Sequence, residues 1–242
     1  MRLFSKTANS FTDSDIDQLA KLINQSQHTY AITGAGISTA AGIPDLQHLS
    51  GLTSMSLSSE SNLEQHPTSF YRGFHRIFID PIFDNGPTTS HRALAKLEET
   101  GKLDGVVTTN VDYLHEIAGN KHVADIWRSL NVNHCLNCGK IYDINILKEA
   151  VPRCPACGSL ISPDPIFHHI GIDDHAYEQA NEWMAQADLV IVVGSNGYYS
   201  NVNSHATVVN INRAANDFDS RANLTLRGDA DQIMAAVMKK VA

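Results

Sequence analysis

Basic clusters, long apolar runs and surplus cysteines are all missing from this 242-residue chain, and each lack excludes a class of protein. Lys and Arg number 18 against 26 Asp and Glu, a net charge of −8 with no Lys/Arg run to offset it locally. A nucleic-acid footprint requires the opposite balance, so no nucleic-acid partner is expected. The longest apolar stretch, Leu189-Val190-Ile191-Val192-Val193, is far shorter than the roughly 20 residues that span a bilayer. Phe4 to Ser14 is polar and rich in Ser and Thr, unlike a secretory leader, so the cytoplasm is the expected compartment. No internal repeat or low-complexity tail is found. What remains, 43% hydrophobic and 18% charged, is an ordinary globular composition in a chain long enough to bury a full core.

Cysteine is scarce but concentrated. All four cysteines fall in two pairs, Cys135-x-x-Cys138 and Cys154-x-x-Cys157, with fifteen residues between the pairs. In a chain without a secretory signal this spacing points to a tetrahedral Zn²⁺ site rather than to disulfides or to four unrelated thiols. Gly139 and Gly158 follow the pairs and suit tight knuckles, and Pro152 and Pro155 stiffen the second. Four protein ligands leave no open position, so the metal is structural. Its binding supplies on the order of 10 kcal/mol to a module with little core of its own.

Elsewhere short apolar strands alternate with amphipathic helices, which predicts an α/β fold with a parallel, doubly wound sheet. Helices are expected over 13–25, capped by Thr12 or Asp13, and over 67–79, 90–100, 177–186 and 229–241. Strands are expected over 30–33, 105–109, 189–193 and 207–211, and 47–62 reads as a mobile loop. Thr33-Gly34-Ala35-Gly36-Ile37-Ser38-Thr39-Ala40-Ala41-Gly42-Ile43-Pro44-Asp45 reads as strand, glycine turn and helix start, a place where backbone N–H groups approach phosphate. Thr39 stands where a regular dinucleotide turn has its third glycine. Gly34–Ser38, Asn110–Asp112 and Gly194–Asn196 all lie at predicted strand ends, where doubly wound sheets bind ligands. Taken alone, Asn110-Val111-Asp112 is as readily an Asx turn as a site.

Four segments, in order, resemble the sirtuin family of NAD-consuming enzymes. They are the turn from Thr33 to Asp45, the run Thr108-Thr109-Asn110-Val111-Asp112-Tyr113-Leu114-His115-Glu116-Ile117-Ala118-Gly119, the four-cysteine module, and Gly194-Ser195-Asn196 with Asn210-Ile211-Asn212 and Gly228-Asp229-Ala230. The resemblance implies a Rossmann-like domain over 1–129 and 166–242, interrupted by a small zinc-binding domain over 130–165, with a helical part of the small domain within 45–85. It implies NAD⁺ between the two. Gly34, Ala35, Gly36 and Ser38 would then cradle the pyrophosphate and nearby ribose, closed by Ile43, Asp45 and Gln47. Asn110 and Asp112 would face the nicotinamide and its ribose as the catalytic pair, beside Trp127. Gly194, Ser195, Asn196 and Asn212 would line the adenosine end.

The departures bear on the reaction. Asp125-Ile126-Trp127-Arg128-Ser129-Leu130 stands where the family carries Glu-Leu-His-Gly-Ser-Leu with its catalytic histidine, so Trp127 replaces the histidine and Arg128 the glycine. Indole carries no basic nitrogen, and a lost general base costs ~10²–10⁴ in rate. Asp45-Leu46-Gln47 replaces the usual Asp-Phe-Arg, and Thr109 replaces a Gln. Pro163-Asp164-Pro165-Ile166-Phe167-His168-His169-Ile170 occupies the segment that usually forms a strand beside the acyl-peptide. Three readings stay open. One is NAD⁺ cleavage with ADP-ribose passed to a protein side chain or water, as the macrodomain-linked sirtuins, which also lack the histidine, resemble protein ADP-ribosyltransferases. The second is a non-catalytic NAD⁺ or ADP-ribose binder, with Trp127 stacked in the nicotinamide pocket and Arg128 on a phosphate. The third is a deacylase with a substitute base among His115, His168 and His169.

Overall fold

A computed structural model describes residues 10–45, 57, 59–167 and 171–241. Strands β1 (Thr29–Thr33), β2 (Gly105–Thr108), β3 (Val123–Asp125), β7 (Leu189–Val193), β8 (Thr207–Asn212) and β9 (Leu224–Arg227) form one six-stranded sheet in the order β3-β2-β1-β7-β8-β9. Every neighbouring pair in it is parallel. β4 (Asn133–Cys135), β5 (Ile141–Tyr142) and β6 (Ile161–Pro163) form a separate antiparallel sheet in the order β5-β4-β6.

The central strands are apolar on both faces because both faces are covered. Ala31, Val106, Ile191 and Val193 point to one side, against Leu19 and Ile23 of helix Asp13–Gln25, Leu94 of Thr89–Glu99 and Ile233 of Ala230–Val237. Tyr30, Ile32, Val107, Val190 and Val192 point to the other, against Ala180 and Met184 of helix Asp174–Gln186 and against Phe218. The first helix starts where expected, with Thr12 and Asp15 forming a reciprocal capping box.

A third apolar cluster joins Leu63, Phe70, Tyr71, Phe74, Phe78 and Ile82 to Leu130, Ile144, Leu147, Ile161, Cys135 and Cys154. The aromatic helix Pro67–Phe74 is therefore packed on the cysteine module, and Tyr71 Oη donates to the Ile161 carbonyl at 2.5 Å.

Some element boundaries differ from expectation. The chain after β1 does not enter an α-helix: it makes two single 3₁₀ turns, Ala35–Ile37 and Thr39–Ala41, ended by Gly42 at φ 90°. The expected helix over 67–79 is α-helical only to Phe74 and continues as two wide π turns, His75–Ile79 and Pro81–Asn85, around the proline that breaks the regular ladder. Within the expected loop 47–62, Glu60 already begins helix Glu60–Gln65, while 46–56 and 58 lie outside the described residues. β1, β2 and β8 each differ from expectation by one residue at an end, and the last helix stops at Val237.

Candidate functional site

Chain order reverses at β1, whose neighbours are β2 on one side and β7 on the other. At such a point the loops after the two central strands diverge and leave a crevice at their carboxyl ends. Two joined cavities occupy it, of about 320 Å³ and about 250 Å³. Asp45, Gly194 and Asn196 line both.

The two glycine loops touch through their backbones. A Cβ on Gly36 would lie 2.7 Å from Gly194 Cα, and one on Gly34 would lie 2.8 Å from Ser195 Cα. The Gly36 N–H donates to the Gly194 carbonyl at 2.9 Å. The glycines here permit loop-to-loop packing, and the expected phosphate-facing helix start is replaced by short 3₁₀ turns.

Of the residues expected to bind cofactor, Gly34, Ala35, Ser38, Ile43, Asp45, Asn110, Asp112, Trp127, Gly194 and Asn196 line the larger cavity, and Gly36 and Asn212 line the smaller one. Ser195 lines neither. It is 1% exposed, packed under Gly34, and its carbonyl accepts from the amides of Asn212 and Asn216, both at 3.0 Å. Its part in the site is to hold the loop. Gln47, His168 and His169 lie outside the described residues.

Asn110 and Asp112 are fixed by a buried network. Ser38 Oγ donates to Asp112 Oδ2 at 2.6 Å, and the Asn110 amide donates to Ser38 Oγ at 3.1 Å and to the Gly34 carbonyl at 3.2 Å. The Leu114 N–H donates to Asp112 Oδ1 at 3.0 Å. Burial raises the Asp112 carboxyl above the usual range against the pull of these hydrogen bonds. Network and pocket together put an amide and a carboxyl at the wall of the larger cavity.

Trp127 stands on the turn after β3, half-buried, lining the same cavity as Asn110 and Asp112. Arg128 beside it has φ 65°, a left-handed backbone that costs a side chain ~1–2 kcal/mol and that glycine adopts freely. This is the position where the resemblance places a glycine. The Arg128 side chain does not enter either cavity: it lies 3.3 Å from Asp164 and 3.7 Å from Asp173, so the expected phosphate contact is replaced by an ion-pair bridge.

His115 is 1% exposed and lines neither cavity. Its Nε2 lies 2.9 Å from Thr33 Oγ1 and its ring packs against His91, tilted by 59° with centroids 4.6 Å apart. Burial pushes its pKa down to about 4, which keeps the ring neutral in the core. Among the described residues, no histidine lines either cavity.

Behind the Trp127 turn, Glu116 and Asp125 share a hydrogen bond between carboxyl groups. Burial, then the neighbouring Asp125, pushes Glu116 up to about 9, while burial pushes Asp125 up to about 6. An unfolded glutamate releases its proton near about pH 4.3, so the fold holds a proton there that the unfolded chain gives up, and stability falls as pH rises towards 9. Glu116→Gln should therefore raise the thermal midpoint much more at pH 8 than at pH 5. Equal shifts at both pH values would show that the pair does not titrate with folding.

The four cysteine sulfurs lie within 4.8 Å of one another, with Cys135–Cys157 at 3.4 Å and Cys138–Cys154 at 3.6 Å. A tetrahedral Zn²⁺ with Zn–S bonds near 2.3 Å places its sulfurs about 3.8 Å apart, so the donor set fits that ion. Gly139 at φ 67° and Gly158 at φ 77° turn the two knuckles, donating to the Cys135 and Cys154 carbonyls at 3.0 and 2.8 Å.

Sequence reasoning missed Phe78 and Tyr198, apolar walls of the larger cavity, and Arg213 and Asp231 in the smaller one. Phe78 sits on a π turn that periodicity could not place, Tyr198 and Arg213 belong to loops without a motif, and Asp231 lies in the first turn of helix Ala230–Val237.

A doubly wound parallel sheet, a divided crevice at its switch point and a four-thiolate module define a dinucleotide-site α/β protein with a metal-stabilised insertion. The chain belongs to the Sir2 family, whose model matches residues 34–200. It is 32% identical over 248 residues to an NAD-dependent protein deacetylase of Clostridium perfringens, covering 93% of this chain and 99% of that one. It is 31% identical over 249 residues to NAD-dependent protein deacetylase 1 of Pyrobaculum aerophilum, covering 97% and 98%. A solved structure described as Sir2 with a p53 peptide and NAD⁺ is similar at a TM-score of 0.76, with 33% identity over 92% of this chain and 97% of that one. The expected α/β fold with NAD⁺ and zinc as its cofactors agrees with this family. Among the described residues, no helix is long and apolar enough to cross a membrane.

Proposed function

We propose that this chain binds NAD⁺ across the two joined cavities and breaks the nicotinamide–ribose bond, passing ADP-ribose to a protein side chain or to water. The observation that carries the reading is Trp127 beside Asn110 and Asp112, in a cavity lined by no histidine among the described residues. NAD⁺ supplies an activated glycosidic bond whose cleavage leaves positive charge on the sugar. Asn110 and Asp112 are held at the cavity wall, where an amide can grip a carboxamide and a carboxylate can stabilise that charge. Ala35 and Ser38 face the pyrophosphate, and Asn212 orders the adenosine end. Indole cannot accept the proton that an acyl hand-off to a ribose hydroxyl releases. The paired thiols belong in a reducing compartment, which supports the cytoplasm.

A second reading, NAD-dependent protein deacylation, is favoured by the names of the relatives. Nicotinamide release measured with and without an acetyl-lysine peptide separates the two. Release from NAD⁺ alone is expected. Release only with peptide would favour deacylation, and saturable NAD⁺ binding without release would make the chain a binder. Asp112→Asn should lower release about 10²–10³-fold while the thermal midpoint stays close to the parent's. An unchanged rate would remove Asp112 from the chemistry.

A further inference from the structure

We infer that Asn210 is a positioning residue for the adenosine half of the crevice. It locks the Asn212 amide with only an acceptor oxygen left for the ligand, which selects a hydrogen-bond donor at that place. The inference rests on the placement of NAD⁺ proposed above, though not on the bond cleavage.

Asn210 is 0% exposed on β8, on the sheet face that Val208 shares with Val192 and Phe218. An amide buried among apolar side chains is costly unless its polar groups are all paired. Here they are. Its Nδ2 donates to Asn216 Oδ1 at 2.9 Å and to Asp219 Oδ1 at 2.8 Å. Its Oδ1 accepts from Asn212 Nδ2 at 3.1 Å and from Asn216 Nδ2 at 3.5 Å. Each partner leads to a segment that builds the smaller cavity. Asn216 holds the Ser195 carbonyl under the glycine loop. Asp219 is paired with Arg227, and the next residue, Gly228, donates to the Asn212 carbonyl at 3.2 Å and lines the cavity. One buried side chain thus joins the loop after β7 to the ends of β8 and β9.

Asn212 lies two residues further on, so its side chain leaves the same face of the strand. An amide nitrogen has two hydrogens to give. Those of Asn212 go to the Ser195 carbonyl at 3.0 Å and to Asn210 Oδ1 at 3.1 Å. Its Oδ1 has no partner among the described residues, and Asn212 lines the smaller cavity. Turning the amide over would set that oxygen against two acceptors, so the orientation is fixed. The adenosine half of NAD⁺ offers matching donors in its adenine amine and its ribose hydroxyls. Without Asn210, the Asn212 amide keeps a single tether and Asn216 loses two bonds, so the amide pivots and presents nitrogen and oxygen in turn.

The test titrates ADP-ribose into the full chain by calorimetry, which reads the adenosine half without turnover. Three analogues each remove one donor: IDP-ribose lacks the adenine amine, and two forms lack one or the other hydroxyl of the adenosine ribose. One of the three should bind the parent at least about tenfold more weakly than ADP-ribose. In Asn210→Ala that ratio should fall below about threefold, whereas a role in stability alone would leave it unchanged. Asn210→Leu, which keeps the volume in apolar surroundings, is the second variant and carries the same expectation. Equal affinity of the parent for ADP-ribose and all three analogues overturns the inference without any variant. A ratio that survives in the variants overturns the role of Asn210. Absence of ADP-ribose binding overturns both the inference and the proposed placement of NAD⁺. Ratios that behave as expected in a chain that never releases nicotinamide uphold the inference and overturn the cleavage alone.

Discussion

Removing zinc, by a strong chelator or by Cys154→Ser, unfolds the three-stranded module and lowers the stability of the chain by on the order of 10 kcal/mol. The size follows from what else is available to hold the module. Its strands are three, two and three residues long, too short to stand on their ladders alone. Cys135 and Cys154 are 1% and 2% exposed and belong to the same apolar cluster as Phe70, Leu130 and Leu147. Without the metal, four thiols within 4.8 Å of one another either ionise and repel or stay protonated with no partner worth their burial. Tyr142 Oη lies 3.0 Å from Cys154 Sγ, so the loss propagates into β5. Circular dichroism during a thermal ramp, with one equivalent of bound zinc confirmed beforehand, should show a new early transition in chelator. A superimposable curve would contradict a structural metal.

The parts of the fold legible in the sequence are those in which a local signal and the tertiary outcome coincide. Leu189–Val193 reads as a buried strand because five apolar residues can be buried only where helices cover both faces of the sheet. Thr12 reads as a cap because its hydroxyl and the Asp15 carboxylate satisfy each other's backbone neighbours. The cysteine pairs were legible because metal geometry dictates spacing. β3 and β9 carried no such signal: Val123–Asp125 has three residues, and Leu224–Arg227 alternates with polar residues at the sheet edge. Both are strands only because the sheet supplies a neighbour.

Most of the residues singled out in the sequence line the crevice, but the wiring between them was not legible. Gly34 and Gly36 announced a tight turn, yet nothing in the sequence said that the turn packs against Gly194. Arg128 read as a cation for phosphate. Its backbone conformation, and the carboxylates of Asp164 and Asp173 far along the chain, assign it to a bridge instead. Pairings at separations of this kind are properties of the fold, and a local motif cannot carry them.

Gly194→Ala should be the most damaging single substitution in the crevice. Gly194 sits at φ 63°, and a Cβ there would lie 2.4 Å from the Ile37 N, 2.6 Å from Gly36 C and 2.7 Å from Gly36 Cα. All three are backbone atoms. Neither loop can retreat, because β1 and β7 pair in register up to Thr33 and Val193, the residues before the two glycine turns. The left-handed backbone costs alanine about 1–2 kcal/mol, and forced overpacking adds about 1–3 kcal/mol, together about 2–5 kcal/mol. Gly194 lines both cavities, so the same displacement separates the two halves of the crevice and should weaken NAD⁺ binding by at least tenfold. Gly101→Ala is the control: Gly101 has φ 69° with nothing within 4 Å of its Cβ, so it should lose only the backbone share and keep full NAD⁺ affinity. Urea denaturation and calorimetric NAD⁺ titration of the two variants read both effects. Equal losses in the pair would mean that contact between the loops contributes nothing beyond glycine's backbone freedom, and that the crevice is not built on it.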